Sequence, residues 1–329
     1  MKKTFLLLLT IILLVTGCGF GAGKNDESKD KGNVPAEDLN PGEYPSKTTG
    51  ISDTLPGDRL FAVIVENTPV ARPQSGLIDA DIVYEALAEG GITRFLALYN
   101  NTYPAKVGPV RSARPYFVQL AKGWGAEFVH VGGSTQAYSD IKRLSLGDYD
   151  AMHITKPFFK DKSRKDPHAT YMALDKLLKM NRVSNGYDYQ LKFNTDGKKT
   201  NEITTVEVPY NSSFDIRYIY DEQNKHYMRY INDKPHTDRE SGKQLNADNI
   251  IIEFHTKRVL DDEGRLEINM AGQGDAVIVS GGREIKCRWE RSGDSSPVKY
   301  VDENGSQVIL NPGKTWINIV PNGLNVNIE

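Results

Sequence analysis

The feature that most constrains the fold is a pair of apolar runs joined by two glycines. Asp81-Ile-Val-Tyr-Glu-Ala-Leu-Ala-Glu89 leads into Gly90-Gly91 and then Ile92-Thr-Arg-Phe-Leu-Ala-Leu-Tyr99. A tight primed turn needs positive φ at its centre, so this arrangement predicts a β-hairpin. A two-residue turn sets Glu89 opposite Ile92 and Leu87 opposite Arg94. Arg94 then lies diagonally between Glu85 and Glu89 on one face, at about 5–8 Å, with Asp81 further along it. A helix is the competing reading of the first run, capped by Asp79 or Asp81 and ended by Gly90. It would stack three carboxylates at i, i+4 and i+8 without a basic partner, which is unfavourable. The strand is the better reading, and the plainest role for its carboxylates is a structural cross-strand ion pair.

The segment after the hairpin is Val107-Gly-Pro-Val-Arg-Ser-Ala-Arg-Pro115. Ser112 suits a helix N-cap, Pro115 suits a first helical turn, and Tyr116 to Lys122 has helical apolar spacing. Arg111 and Arg114 would flank that helix start, where free N–H groups and the helix dipole already favour an anion. Guanidinium groups add planar donors suited to phosphate or carboxylate. The same arginines could instead neutralise Glu85 and Glu89, and both roles are compatible.

Six segments carry a family resemblance: RPQSGL at 72–77, ADIVYE at 80–85, EGGITRFLALY at 89–99, GPVRSARPYF at 108–117, VHVGGS at 129–134 and PGKTWINIVP at 312–321. In these the chain resembles the YerB-like lipoproteins of Gram-positive bacteria. The resemblance implies a surface lipoprotein with two consecutive domains of unassigned function. It implies no catalytic residue.

The amino terminus agrees on its own terms. Met1-Lys2-Lys3 precedes an apolar core from Phe5 to Val15, and Val15-Thr16-Gly17-Cys18 follows. That core spans about 16 Å as a helix, too short for a bilayer core of roughly 30 Å. It reads as a signal peptide over residues 1–17, with Cys18 placed for a diacylglycerol anchor at the outer face of the cell membrane. Residues 18–58 form a linker whose large apolar residues are Phe20, Val34, Leu39, Tyr44, Ile51 and Leu55. So polar a stretch is a flexible tether with a reach on the order of 35 Å.

Composition excludes several classes. The net charge is −2 and becomes −4 once Lys2 and Lys3 leave with the signal peptide. No polybasic run accompanies it, so nucleic acid is disfavoured as a partner. The two cysteines are Cys18 and Cys287. With Cys18 lipidated no disulfide is available, and no Cys/His cluster has zinc spacing. Cys287 alternates with Ile285 and Trp289 and reads as a buried thiol. Gly272-Gln-Gly274 lacks the third glycine of a dinucleotide fingerprint. Asp238, Glu240 and Gly242 do not fall in calcium-loop order. No cofactor is expected.

Two domains are expected. In residues 59–195, strands at Leu60–Val65 and Glu127–Val131 alternate with helices at Thr135–Leu144 and Ala169–Met180, which predicts an α/β (α+β) layer with a mixed sheet. Phe158 to Asp166 reads as a charged surface loop. His130, Gly132, Gly133 and Ser134 fall at the carboxyl end of a strand, where open α/β sheets place ligands. G-x-S-x-G is absent, so nothing selects Ser134 as a nucleophile. His168 reads as a loop or helix-start residue. After a polar boundary at 181–201, residues 202–329 are β-rich, with strands at 204–208, 215–220, 226–231, 249–255, 276–280, 285–289, 307–310 and 315–320.

The reading is a noncatalytic, membrane-anchored module that binds an anionic cell-envelope component or an envelope partner protein. Arg94, Arg111, Arg114 and Ser134 are the candidate ligand contacts, supported by Glu85, Glu89 and His130. One alternative is an envelope enzyme acting on phosphoryl or glycosyl bonds, with Glu85 or Glu89 as acid or base. Another is a scaffold for envelope machinery.

Overall fold

The computed structural model describes residues 45–51, 57–183, 191–195, 197 and 199–329. The expected signal peptide, Cys18 and most of the expected linker lie outside these residues. The apolar run after the linker forms β1 (Phe61–Glu66), which is buried along its whole length. The hairpin follows as β2 (Ile82–Leu87) and β3 (Thr93–Tyr99).

The hairpin register differs from the expected one. Leu87 faces Thr93, Ala86 faces Arg94 and Glu85 faces Phe95. Glu89, Gly90 and Gly91 form a single turn of 3-10 helix, closed by Ala88 N–H donating to the Ile92 carbonyl at 2.7 Å. Both glycines have positive φ, 67° and 72°, as the sequence required. The loop holds three residues rather than two, so the pairing slips by one. A one-residue slip moves side chains to the opposite face. Glu85 therefore leaves the face of Arg94, while Glu89 stays within reach of it.

The first helix, α1 (Pro115–Gly123), starts later than expected, with Arg114 rather than Ser112 at its N-cap and no side-chain cap. Pro115 lacks an N–H and has a fixed φ, and this sets the start. Next come β4 (Glu127–His130), α2 (Thr135–Arg143) and β5 (Asp148–Asp150). The helix expected over 169–180 is a strand, Thr170–Met172, followed by one short helix, α3 (Leu174–Leu177). Thr170 and Met172 give their backbone to Val110 and Val107, which leaves no helix to form there. Leu174 and Leu177 do point inward. The charged loop begins as the strand Phe158–Lys160, paired with Thr170–Met172.

The carboxyl-terminal region is strand-rich. Its strands include Thr205–Asn211, Phe214–Asp221, His226–Ile231, Asn249–His255, Gly272–Ser280, Arg283–Arg291, Lys299–Val301 and Thr315–Pro321. The strand expected at 307–310 makes only isolated bridges, Val301 with Gln307 and Phe193 with Leu310.

One mixed ten-stranded sheet runs through both regions. Its order is Lys299–Val301, Arg283–Arg291, Gly272–Ser280, Asn249–His255, Thr315–Pro321, β2, β3, β1, β4, β5. Thr315–Pro321 lies beside β2 and parallel to it, with Thr315 opposite Ile82. A second sheet, containing Thr205–Asn211, Phe214–Asp221 and His226–Ile231, covers the face that carries Glu85, Phe95 and Trp316. Tyr210 OH donates to the Glu85 carbonyl at 2.9 Å, and the Tyr218 and Trp316 rings lie 6.4 Å apart. The opposite face is covered by α1, and Trp124, the residue that caps its carboxyl end, donates from Nε1 to Tyr84 OH at 2.9 Å. Both faces being covered, the central strands can be apolar throughout.

β1, β2, β4 and β5 point the same way, since β1 and β2 each run antiparallel to β3 and β4 parallels both β1 and β5. Their carboxyl ends and the starts of α1 and α2 meet at one edge of the sheet, the usual place for ligand sites in such folds.

Candidate functional site

At that edge, Glu66 closes β1 and faces Arg94 at the start of β3. Glu89 comes from the hairpin loop, and Arg111 and Arg114 from the segment entering α1. Ala113 bridges to Gly133, and its N–H donates to the Gly132 carbonyl at 2.9 Å, so the two helix starts lie side by side.

Glu89 lies between two arginines. Arg114 Nε donates to its Oε1, and Arg94 NH2 lies 3.3 Å from its Oε2. Arg94 is 4% exposed and also donates to the Ser112 carbonyl at 3.3 Å. Arg111 Nε lies 3.7 Å from Glu66 Oε2, and its NH1 donates to the Pro167 carbonyl at 3.2 Å. Among the described residues, three arginines thus share two carboxylates, and neither Arg94 Nε nor Arg111 Nε has a hydrogen-bond partner. Burial lowers the Arg94 pKa, and the neighbouring Arg114 lowers it further. Burial pushes the Glu89 carboxyl up, but the Arg114 hydrogen bond and the charges of Arg94 and Arg114 outweigh it and hold it below its ordinary value. Glu89 is a fixed anion, which suits charge neutralisation better than proton transfer.

Glu66 is the second carboxylate, and unlike the half-buried Glu89 it is fully buried. Thr68 Oγ1 donates to its Oε1 at 2.9 Å, and His168 Nδ1 lies 2.7 Å from its Oε2. The remaining His168 nitrogen has no hydrogen-bond partner among the described residues.

The other expected site residues are engaged in the fold. Ser134 is the N-cap of α2, its Oγ accepting from Ala137 N–H at 3.2 Å. His130 is fully buried, with Nδ1 2.8 Å from the Gly132 carbonyl and Nε2 3.0 Å from Asp148 Oδ2. It shapes the glycine turn and offers no free nitrogen as an acid or base. Asp81 is buried at the amino end of β2, accepting from the Asn100 and Asn101 N–H groups.

Glu85, on the other face, anchors a second polar cluster. Its Oε1 accepts from Thr93 Oγ1 at 2.7 Å and from Asn67 Nδ2 at 3.1 Å, and its Oε2 accepts from Arg229 NH2. Arg229 is as fully buried as Glu85, and its guanidinium carbon sits 4.3 Å from the Trp316 ring centre. It also donates to His236 Nδ1, leaving His236 Nε2–H to donate to Gln74 Oε1 at 2.9 Å. Gln74 and Arg72 both donate to Asn67 Oδ1. This network couples β2 to the second sheet.

The chain matches the family model described as "Protein of unknown function (DUF3048) N-terminal domain" over residues 48–188. It matches the corresponding C-terminal domain model over residues 206–317. The chain belongs to the DUF3048 family. A relative from Bacillus subtilis (strain 168), named "Putative lipoprotein YerB", is 39% identical over 277 residues, covering 80% of this chain and 81% of that one. A crystal structure of the YerB protein from Bacillus subtilis superposes with a TM-score of 0.78 at 33% identity, covering 87% of this chain and 100% of that one. The resemblance read from the sequence motifs is therefore a family relationship.

Within this DUF3048 chain, sequence reading brought together Arg94, Arg111, Arg114 and Glu89, which do converge. It missed Glu66 and His168, which are 102 positions apart. It missed Arg229 and His236 because nothing local distinguishes a buried cation on a strand from a solvated one. Arg72, first residue of a family segment, was the one available signal toward that cluster.

Proposed function

We propose that this chain is a lipid-anchored binding protein on the outer face of the cell membrane, tethered through Cys18. Its role is to hold an anionic envelope component, or an acidic partner protein, at the carboxyl edge of the sheet. The observation that carries this is the convergence of Arg94, Arg111 and Arg114 on only two carboxylates beside the uncapped start of α1. An anion there would meet surplus guanidinium charge at the positive end of the helix dipole. The anchor rests on the Val15–Cys18 segment and on the lipoprotein name carried by the Bacillus relative. A noncatalytic role is favoured because Glu89 is held ionised by its arginines.

The test is a thermal-shift titration of the full chain in detergent with phosphate-bearing wall fragments. Wild type should be stabilised, and Arg111→Gln and Arg114→Gln should weaken the response about ten- to a hundredfold while remaining folded. Absence of any wild-type response, with variants that merely melt lower, would return the arginines to a structural role.

One observation favours a second reading. Glu66 Oε2 lies 2.7 Å from His168 Nδ1 and 3.7 Å from Arg111 Nε, and among the described residues the other ring nitrogen has no hydrogen-bond partner. That arrangement suits a general base in hydrolysis of a phosphoryl group. Hydrolysis of p-nitrophenyl phosphate or bis-p-nitrophenyl phosphate that His168→Ala abolishes would establish it. Equal rates in both proteins would remove it.

A further inference from the structure

We propose that the pocket between Arg72 and the Ile231–Thr237 segment is a second binding site, for a small molecule that joins a carboxylate or phosphate to an uncharged body. The pocket has a volume of about 350 Å³ and takes its walls from both regions of the chain: Pro69, Arg72 and Pro73 on one side, Ile231, Lys234 and His236 on the other. That is a small-molecule volume. None of Arg94, Arg111 and Arg114 lines it, so it is separate from the site at the sheet edge.

Charge balance points to an anion. Arg72 Nε donates to Asn67 Oδ1 at 3.0 Å, and NH2 donates to the Asn67 carbonyl at 2.8 Å. Both acceptors are neutral. The Phe214 ring covers the guanidinium, with its centre 5.0 Å from the guanidinium carbon. Among the described residues, no carboxylate forms an ion pair with Arg72. Glu85 is the carboxylate whose field favours the charge on Arg72, and Arg229 already occupies it. Burial lowers the Arg72 pKa to about 10, with the Glu85 charge opposing it and the Arg229 charge adding to it. Arg72 is half-buried without an ionic partner, and a bound anion would supply one. Lys234 adds a second cation at the exposed rim.

The other walls set the rest of the ligand. His236 is neutral: burial, then Arg229 and Arg72, push its pKa well below the ordinary value, and both ring nitrogens are engaged. It contributes a ring surface rather than a charge. Pro69, Pro73, Pro235 and Ile231 supply apolar contact, suited to the body of a sugar or another compact organic group. The wall at Asn232 is held before any ligand arrives. Asn232 has a φ of 48°, its N–H donates to the Asp215 carbonyl at 2.8 Å, and its side chain bonds Asp215 N–H and the Ser213 carbonyl. A wall so fixed lowers the ordering cost of binding.

The experiment is isothermal titration of the full chain in detergent with N-acetylmuramic acid, which carries a carboxylate, glucose 6-phosphate, which carries a phosphate, and N-acetylglucosamine, which carries neither. Binding of one or both anionic sugars, with the neutral sugar silent, is the expected result and distinguishes carboxylate from phosphate. Arg72→Gln should weaken it about ten- to a hundredfold. Lys234→Gln, at the exposed rim, should weaken it severalfold without disturbing the fold. Arg111→Gln should leave it unchanged. The proposal is overturned if no anionic sugar binds, if the neutral sugar binds equally well, if Lys234→Gln and Arg72→Gln bind like wild type, or if Arg111→Gln abolishes the binding.

Discussion

Replacing Arg229 with methionine leaves Glu85 fully buried without its ion-pair partner. Both side chains are fully buried, on opposite sides of the junction between β2 and the second sheet. Thr93 and Asn67 would still donate to Glu85, but its ionic partner would be gone. Breaking one side of a buried pair costs about 3–5 kcal/mol. At about 2–4 °C per kcal/mol for a chain of this order of size, the melting temperature should fall by about 6–20 °C. Glu85→Gln alone should cost a similar amount, because it strands the Arg229 charge beneath Trp316. The double variant Glu85→Gln/Arg229→Met removes both charges and keeps an acceptor for Thr93. It should therefore recover at least about 2 kcal/mol relative to the sum of the single losses. Thermal and urea unfolding of the four proteins close the cycle. A double variant whose loss equals that sum would refute the idea that this pair joins the two regions energetically.

Three further outcomes follow from the sequence and the geometry. Cys18→Ala should abolish diacylglycerol attachment; mass spectrometry of the membrane fraction decides it, and a lipid-modified variant would contradict the anchor. Separate chains ending at residue 195 or starting at residue 202 should each fail to melt cooperatively, since the cut strips Thr315–Pro321 from β2 and Arg229 from Glu85; a cooperative melt from either would show that the shared sheet is dispensable. Glu253 is pushed up by burial but held down to about 2 by Arg291, His255 and Tyr300, so its depressed pKa contributes stability above about pH 4.5 that is lost as pH falls toward 2; urea titrations should show a loss of about 3 kcal/mol over that range, and a Glu253→Gln protein with the same pH slope would assign the acid sensitivity elsewhere.

How much of this was legible in the sequence depended on the range of the interaction. β1 and the hairpin were readable because their apolar runs and the Gly-Gly turn are local signals. The register was not, because two- and three-residue loops around Gly90 and Gly91 read alike, and that single step decides which face Glu85 takes. The start of α1 followed Pro115, whose ring outweighed the capping preference of Ser112. The arginine cluster was half visible: Arg111, Arg114 and Glu89 are near in sequence, whereas Glu66 and His168 meet only through the folded chain. The two regions read as consecutive domains from composition and the polar boundary. That Thr315–Pro321 lies against β2 could not be read, because strand pairing over more than two hundred residues leaves no periodic trace.

The most direct test of anion binding at the sheet edge is an anomalous difference map from crystals of the protein soaked in selenate, an anion with the charge and shape of sulfate. The account requires a selenium peak between the Arg111 and Arg114 guanidinium groups at hydrogen-bonding distance from both, and its loss in crystals of Arg114→Gln. Selenate bound elsewhere, with those guanidinium groups paired only to Glu66 and Glu89, would contradict it.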